Sequence, residues 1–463
     1  MTQAAANGEA EPTRREAAAN DDDDCIGGNL PSTSSSLPPP PPSSSLSSLP
    51  VIDIAPLLSP CTTTSPVSRE ALRAAEAIAA TCLKSRGRKA LGFFYAVGHG
   101  IPEATLDAAH SSAAALWDAP VEIRSSLDAR KSELSRGYLG LGALEHTCTR
   151  AKLATLAQER LGEEKKKEKK EGEKEKKEGE KKEKTKPSGG GDLKQSFAFG
   201  CEREEGDPRT HSPMHGPNQW PDAKAIEQVP ALASFRSSVE EFRRLGLEAA
   251  RAVARGLSLA LTEDENEKEK RDASMFESAL SKPAALTVML RYPPLPEQEE
   301  GEEGENSPPT SCGTHTDCGF LTLIDQRGLP GLEVFSNDRR WISVPPLKVD
   351  GQSALVVNLG DLAEYWSGGR VASTLHRVEV RKKKKKKSEE NGNGDENENE
   401  GLQLRDSLIV FSNANFDAPV VPPGGGGKAT TAGAYIFEKL GIMWNGGEVE
   451  EKEKKEKGEK EKS

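Results

Sequence analysis

The region after Pro283 has the pattern of an all-β domain. Short runs rich in Val, Leu and Ile alternate there with turns that contain Gly or Pro. The runs are Leu286–Tyr292, Gly319–Ile324, Gly331–Phe335, Trp341–Pro345, Ala354–Leu359, Thr374–Val380 and Asp406–Phe411. Several short strands separated by regular turns are typical of a sandwich or a barrel. The sequence therefore predicts a β-sandwich or barrel in this part of the chain.

The region before Pro283 has a mainly helical pattern with a few strands. The runs Leu49–Ile54 and Leu91–Val97 are β-like. An Ala-rich stretch from Ser68 to about Leu83 predicts a helix with Ser68 as its N-cap. A second helix is expected to follow Ile101-Pro-Glu103 as far as about Trp117. A third is expected over residues 229–261, where apolar residues recur at helical spacing.

Low-complexity segments flank and interrupt these two regions, and they dilute the apolar fraction of the chain to 34%. The predicted organisation is a disordered Ser/Pro-rich tail at 1–49, an N-terminal region at 50–283, a β domain at 284–446 and a charged disordered tail at 447–463. Disordered inserts are expected at about 159–191, whose central part, Glu163–Lys186, is almost pure Lys and Glu, and at about 382–400. The remaining residues are numerous enough for a sizeable core.

Composition and charge argue against several classes of protein. No run approaches the ~18 apolar residues of a membrane helix, and the N-terminal segment lacks the apolar stretch of a signal peptide. The net charge is −11 and the charged runs are of mixed sign, so we expect neither a nucleic-acid nor a membrane partner. Seven scattered cysteines without CxxC spacing are typical of reduced thiols, which favours a cytoplasmic or a nuclear compartment. We expect a monomer.

Three groups of polar residues in the β region are candidates for a functional site. His315 and Asp317 are two residues apart, so in an extended strand both side chains point to one face. His376 lies in another β-type run, and Arg405 and Ser407 are again two residues apart. Two imidazoles and one carboxylate that meet inside a barrel form a 2-His-1-carboxylate triad. Such a triad leaves positions open on a non-haem Fe(II) for a co-substrate and O₂.

Each group also has a plain structural alternative. An isolated His-x-Asp pattern is commonplace near a Gly turn. A single strand histidine such as His376 is more often a hydrogen-bonded core residue than a ligand. Arg405 and Ser407 are equally explained by an exposed strand face with an ordinary salt bridge. The order of the residues and their setting among β-type runs favour the metal site.

Six motifs along the chain support that interpretation. They are Leu49–Leu58, Gly92–Ile101, Leu290–Pro294, Gly313–Thr322, Val357–Asp361 and Ser373–Val378. They resemble, in that order, the PVIDL opening, the GFFYVxNHGI signature, the YYPP strand and the HTDxGxLT, VNxGD and STxHRV motifs of one enzyme family. That family is the isopenicillin N synthase-like branch of the Fe(II)/2-oxoglutarate-dependent dioxygenases. The resemblance covers nearly all of residues 50–445 except the inserts.

The resemblance implies a mainly β fold with helices (α+β), in which a double-stranded β-helix, or jelly roll, follows a mainly helical N-terminal region. It implies that His315, Asp317 and His376 bind Fe(II), and that Arg405, Ser407 and Tyr292 bind 2-oxoglutarate. Arg405 suits the distal carboxylate because its planar guanidinium can donate two parallel hydrogen bonds. No catalytic residue is expected beyond the metal centre. The remaining histidines are interpreted as structural: His99, His110, His146, His211 and His215.

The implied reaction hydroxylates or otherwise oxidises a small molecule with O₂ and converts 2-oxoglutarate into succinate and CO₂. Two alternatives stay open at this point. One is an oxidase of the same fold that takes its electrons from the substrate itself, and the other is a non-catalytic jelly-roll binding protein. The insert between His376 and Arg405 departs from the family pattern, and it must loop out if both residues are to reach one site. The sequence does not indicate which substrate is oxidised.

Overall fold

Two β-sheets carry the architecture of the protein. A computed structural model describes residues 48–59, 67–84, 89–132, 134–141, 193–202, 206, 214–261, 276–294, 311–380, 404–422 and 429–439. All of these belong to one unit, Leu46–Ser463. The predicted inserts at 159–191 and 382–400 and the tail at 447–463 lie outside the described residues, as does the predicted N-terminal tail up to residue 47.

The strands, in chain order, are β1 (Val51–Asp53), β2 (Phe93–Val97), β3 (Gly137–Leu139), β4 (Gln195–Gly200), β5 (Leu286–Tyr292), β6 (Cys312–His315), β7 (Leu321–Gly328), β8 (Leu332–Phe335), β9 (Trp341–Ser343), β10 (Leu347–Val349), β11 (Gln352–Leu359), β12 (His376–Val378), β13 (Arg405–Ser412), β14 (Pro419–Val420) and β15 (Thr430–Thr431). The larger sheet has the order β1-β2-β11-β7-β13-β5-β4-β3, with β10 paired to β11. The smaller sheet has the order β6-β12-β8-β9, and β14 pairs with β15.

From β5 onward the chain passes repeatedly from one sheet to the other. Strands β5, β7, β11 and β13 belong to the larger sheet, whereas β6, β8 and β12 belong to the smaller one. Antiparallel strands distributed in this way over two sheets form a jelly roll. The predicted fold class, a jelly roll preceded by helices, is therefore confirmed.

The helices are α1 (Arg69–Cys82), α2 (Glu103–Trp117), α3 (Val121–Ser126), α4 (Ala223–Gln228), α5 (Phe235–Leu261), α6 (Asp361–Trp366) and α7 (Ala432–Lys439). The predicted cap of α1 is present, since Ser68 Oγ accepts a hydrogen bond from Ala71 N at 3.0 Å. The predicted start of the long helix at residue 229 is wrong. Pro230 opens a separate 3-10 turn, Pro230–Ser234, and α5 begins only at Phe235. Among the described residues, no helix is both long and apolar enough to span a membrane.

Strand β2 separates two hydrophobic clusters. Phe94 and Ala96 belong to the cluster that joins the larger sheet to the helices, whereas Phe93 and Tyr95 belong to the cluster inside the jelly roll. This division follows from the alternation of side chains along a strand. Gly92, just before the strand, has a φ of +69°, and a Cβ there would lie 2.2 Å from the carbonyl oxygen of Ala372. Only glycine fits this position.

Strands β3 and β4 were not predicted from the sequence, and β6 was expected only as an extended stretch around His315 and Asp317. Strand β6 consists of Cys-Gly-Thr-His and lacks the β-branched run that marks its neighbours. Strands β3 and β4 add to the edge of the larger sheet through the pairing of β4 with β5. The larger sheet thus contains strands from both sides of the predicted domain boundary at 283/284. That boundary stays a prediction.

Candidate metal and co-substrate site

The structure brings His315, Asp317 and His376 together inside the jelly roll. The atoms with which they could bind a metal all lie within 4.8 Å of one another. Oδ1 of Asp317 is 3.8 Å from Nε2 of His315 and 3.6 Å from Nε2 of His376. Two donors that each bind one ion at ~2.1 Å can be separated by at most about 4.2 Å. Both distances therefore fit a shared ion.

Neighbouring strands place the two imidazoles side by side. His315 is the last residue of β6 and pairs with His376, the first residue of β12. The ring centroids are 4.3 Å apart. Phe93 of β2 packs edge-on against the His376 ring, with a centroid distance of 5.4 Å. The expectation that Asp317 shares an extended strand with His315 is wrong, because β6 ends at His315 and Asp317 lies in the following irregular segment.

Backbone carbonyls determine which nitrogen of each ring is protonated. Nδ1 of His315 lies 2.8 Å from the carbonyl oxygen of Gly313, and Nδ1 of His376 lies 3.1 Å from that of Thr374. A carbonyl oxygen can only accept, so both Nδ1 atoms donate. Each Nε2 then has its lone pair available to a metal, as is usual for metal-binding histidines.

The second oxygen of Asp317 is held by two hydrogen bonds. Its Oδ2 accepts from Oγ1 of Thr322 at 2.5 Å and from Nδ2 of Asn358 at 2.7 Å. These contacts leave Oδ1 facing the two imidazoles. Partners of this kind orient the groups that bind a metal and are part of the site.

The electrostatics of the site favour the protonation states that bind a cation. Burial opposes ionisation of Asp317, but the two imidazoles and the hydrogen bonds from Thr322 and Asn358 outweigh it and lower the pKa of this carboxyl. Burial, together with repulsion from His315, lowers the pKa of His376. A carboxylate beside a neutral imidazole is the combination that a divalent metal requires.

The second predicted group lies where β13 begins. Arg405 is only 1% exposed, and its guanidinium lies over the ring of Tyr292 at 5.0 Å from the centroid. Arg405 and Tyr292 are partners in the antiparallel pairing of β13 with β5. Burial lowers the pKa of Arg405 below its usual value. A buried cation is costly unless an anion or several hydrogen bonds compensate it.

The hydrogen bonds of this group are incomplete within the described part of the chain. Nη2 of Arg405 donates to Oε1 of Gln326 at 2.9 Å. Nε and Nη1 of Arg405 and Oγ of Ser407 are buried without a hydrogen-bond partner there. Three buried polar atoms without partners, two of them on a cation, suit an anionic ligand with several oxygen atoms.

Both groups face the same interior. Cys312, at the start of β6, lies close enough to both Arg405 and His376 to influence the pKa of each side chain. Gly331 makes room for the arginine, since a Cβ there would lie 3.3 Å from Cδ of Arg405 and 3.0 Å from a methyl carbon of Val380. Val380 in turn follows the strand that begins with His376. The arginine and the triad are therefore connected through this interior, and a single small molecule that contacts both must lie within it.

The other histidines with described positions lie outside the triad. Nε2 of His99 lies 2.8 Å from the carbonyl oxygen of Ser353, and Nε2 of His110 lies 2.6 Å from Oδ2 of Asp325. These contacts agree with a structural role. His146 and His211 lie outside the described residues.

Sequence reasoning missed three residues that hold the site: Thr322, Asn358 and Gln326. The first two fall inside motifs used for recognition, Gly313–Thr322 and Val357–Asp361, but no role was assigned to them. Gln326 belongs to none of the motifs. Its place beside the site becomes visible only from the register of β7 against β13.

Two family models match the chain. The model described as 2OG-Fe(II) oxygenase superfamily matches residues 284–389, which contain all three triad residues. The model described as non-haem dioxygenase in morphine synthesis N-terminal matches residues 49–157. Both matches agree with the order of motifs along the sequence.

Curated relatives are similar over most of their length. A homoarginine-6-hydroxylase of Arabidopsis thaliana is 27% identical and aligns over 85% of this chain and 96% of its own. The 2-oxoglutarate-dependent dioxygenase tropC of Talaromyces stipitatus is 24% identical over 85% of this chain and 94% of its own.

Solved structures share the fold. A full-length protein of Neurospora crassa, crystallised in complex with alpha-KG, superposes with a TM-score of 0.57 at 21% identity, covering 85% of this chain and 95% of that one. A 2OG-Fe(II) oxygenase family protein of Caulobacter crescentus gives a TM-score of 0.55 at 19% identity, with coverages of 85% and 98%. Family models, relatives and site geometry agree: the chain belongs to the Fe(II)/2-oxoglutarate-dependent oxygenase superfamily and is an oxidoreductase that uses Fe(II), 2-oxoglutarate and O₂.

Proposed function

We propose that His315, Asp317 and His376 bind the Fe(II) of this oxygenase, and that Arg405 and Ser407 bind the distal carboxylate of 2-oxoglutarate. The observation that carries the proposal is the buried Arg405, whose Nε and Nη1 lack partners among the described residues, in the same interior as a His-Asp-His cluster. A dicarboxylate supplies the missing charge and acceptor oxygens at the arginine. Its other end is then directed toward the triad.

The described residues perform three tasks in this proposal. The imidazoles supply Nε2 lone pairs, and Asp317 supplies one oxygen, which leaves several positions on the ion open for small molecules. Bound iron supplies the one-electron chemistry that O₂ requires. Arg405 fixes the co-substrate by charge and geometry, and Tyr292 packs against the guanidinium on one side. Apolar side chains of the inner cluster, such as Phe93 and Leu332, exclude water from the site.

The enzyme oxidises a small molecule and releases succinate and CO₂. We propose hydroxylation as the form of that oxidation. It is supported by the Arabidopsis relative, which is named as a hydroxylase of homoarginine.

We also propose a monomer that works in the cytoplasm or nucleus without a nucleic-acid or membrane partner. The four described cysteines are free, which agrees with a reducing compartment.

The decisive experiment measures O₂ uptake and succinate formation by the anaerobically purified full chain loaded with Fe(II). Both should depend on added 2-oxoglutarate and should rise when a crude metabolite extract supplies the substrate. Comparison of that extract before and after turnover by mass spectrometry should show products heavier than their precursors by one oxygen atom. O₂ uptake that proceeds without 2-oxoglutarate would instead support an oxidase that takes its electrons from the substrate. Light scattering on the same sample tests the monomer.

A further inference from the structure

A second cluster of reactive side chains lies where β4 ends against α5. Cys201 directly follows β4, and its Sγ accepts a hydrogen bond from Nη2 of Arg243 on α5. His215 lies close enough to help lower the pKa of this thiol. The same sulfur lies 3.2 Å from the carbonyl oxygen of Pro283, which accepts the thiol hydrogen in the neutral form. His215 is only 2% exposed. The cysteine thus sits between a guanidinium and a buried imidazole, and the proposed oxygenase chemistry uses none of the three.

A cavity of about 430 Å³ opens beside this cluster. Its wall includes Cys201, His215, Arg236, Arg243, Arg251 and Lys282. The volume lies within the range of ~300–1,000 Å³ that is typical of small-molecule sites. None of the residues proposed to bind iron or 2-oxoglutarate lines it, so it is a separate site.

The cavity has an excess of positive charge. Arg236 is neutralised by Glu240 and Glu202, with which it forms salt bridges at 3.2 and 3.3 Å. Arg251 donates to the carbonyl oxygens of Leu280 and Ser281. Within the described part of the chain, Arg243 and Arg251 have no salt bridge to a carboxylate, and both line the cavity.

The neighbours of Cys201 favour its thiolate. Burial opposes ionisation, but the neighbouring His215 and the positive charge of Arg243 outweigh it and lower the pKa of the thiol. The thiolate is the nucleophilic form of cysteine. Cys82 offers the opposite case, since it is fully buried and burial raises the pKa of its thiol. Cys82 therefore serves as the internal comparison within the same chain.

We propose that Cys201 is a modification site that forms a mixed disulfide with an anionic disulfide of the glutathione class. Glutathione carries more carboxylates than ammonium groups, which suits a cavity lined by Arg243 and Arg251. The Cys201 thiolate attacks one sulfur of the disulfide, the new S–S bond forms, the old one breaks, and the second glutathione leaves as its thiolate. Cys201 is oxidised and the departing sulfur is reduced. The thiol proton is lost beforehand to His215 or to water.

The test treats the anaerobically purified, fully reduced chain with glutathione disulfide at pH 7 and follows each cysteine by peptide mass spectrometry. Cys201 should gain one glutathionyl group at least about tenfold faster than Cys82, since Cys201 lines the cavity whereas Cys82 is fully buried. Hydroxyethyl disulfide, which is neutral, and cystamine, which is cationic, should react with Cys201 progressively more slowly than glutathione disulfide. Equal rates of the three disulfides at Cys201, or no adduct on Cys201, overturn the proposal.

Variants separate the roles of the two arginines. Arg251→Gln should reduce the preference for glutathione disulfide over hydroxyethyl disulfide by several-fold, whereas Arg243→Gln should also slow the neutral reagent. Arg244→Gln is the matched control, because Arg244 lies on the same helix, is exposed and pairs with Glu241 and Glu248. Cys201→Ser should abolish the adduct. Melting curves check that each variant is folded. If Arg251→Gln keeps the full preference for glutathione disulfide over hydroxyethyl disulfide, the cavity does not bind the anion as proposed.

Discussion

Gln326 holds Arg405 in position inside the jelly roll. Its Oε1 accepts a hydrogen bond from Nη2 of Arg405 at 2.9 Å, while its Nε2 donates to the carbonyl oxygen of Val344 at 3.2 Å. The second bond fixes the amide, so the first one can fix the guanidinium. We therefore propose that Gln326 is a positioning residue, which acts on the co-substrate through Arg405.

We expect Gln326→Leu to raise the KM for 2-oxoglutarate about tenfold, as the loss of a charge-assisted hydrogen bond of ~1.5 kcal/mol implies. The kcat at saturating 2-oxoglutarate and the iron content should change little. Gln326→Glu should be more harmful, because its carboxylate competes with 2-oxoglutarate for Arg405. Steady-state kinetics on both variants check this.

Gln195→Leu is a control, since Gln195 bonds to Tyr138 and Arg124 instead. A lower iron content in Gln326→Leu would mean that the glutamine serves the fold.

The carboxylate of Asp317 depends on Asn358 and Thr322 in a similar way. We expect Asn358→Leu to weaken Fe(II) binding by roughly ten- to a hundred-fold, the usual effect of removing a partner that orients a ligand. Thr322→Val should act in the same direction. Anaerobic equilibrium dialysis against Fe(II) measures both. Unchanged affinity in the two variants would show that Asp317 needs neither partner.

The two imidazoles are expected to be indispensable. His315→Ala or His376→Ala should abolish both iron binding and 2-oxoglutarate-dependent succinate formation, since each removes one of the three proposed protein ligands. His110→Asn is the control, because His110 is also a largely buried histidine but pairs with Asp325 away from the triad. Near-stoichiometric iron in either alanine variant would refute the assignment.

The sequence predicted a sandwich or barrel through its alternating apolar runs, and its resemblance to the family implied the jelly roll and the three residues of the proposed triad. It was not sufficient to predict how the triad is assembled. Asp317 follows β6 and points at the histidines because Thr322 and Asn358, from two other strands, hold its second oxygen. Such contacts depend on strand register, which local patterns do not specify.

Gln326 shows the same limit. It lies opposite Ser407 in the pairing of β7 with β13, and its contact with Arg405 joins residues far apart in the chain. The helix start at Phe235 was missed for a local reason. The apolar spacing continues through Pro230–Ser234, but the proline there begins a separate 3-10 turn.

Glu103, at the start of α2, should make stability depend on pH. Burial opposes its ionisation, but hydrogen bonds from Lys348 and Ser353 outweigh it and lower the pKa to about 2. A carboxyl whose pKa is lower in the folded state stabilises the fold fully above its unfolded pKa of ~4.3, and this contribution is lost as the pH falls toward 2. Glu103→Gln should therefore melt at a lower temperature at pH 7, with a smaller further decrease between pH 5 and pH 3. Parallel decreases in the two proteins would contradict this linkage.

The strongest test of the co-substrate site is Arg405→Lys. Lysine keeps the positive charge but loses the planar pair of donors. The loss of a charge-assisted hydrogen bond of ~1.5–3 kcal/mol corresponds to roughly ten- to a hundred-fold in affinity. The KM for 2-oxoglutarate should rise accordingly, while iron binding should be retained because Arg405 is not a ligand of the metal. Ser407→Ala should act in the same direction but less strongly, since a neutral hydroxyl contributes less than a guanidinium.

The matched control for Arg405→Lys is Arg291→Lys on the neighbouring strand. Arg291 carries the same charge but pairs with Asp406 at 2.9 Å and with Asp118 at 3.2 Å, so its guanidinium is already neutralised. This variant should leave the KM for 2-oxoglutarate unchanged. If Arg405→Lys instead weakened only the binding of the primary substrate, the carboxylate held by Arg405 would belong to that substrate. 2-Oxoglutarate would then have to bind elsewhere in the interior.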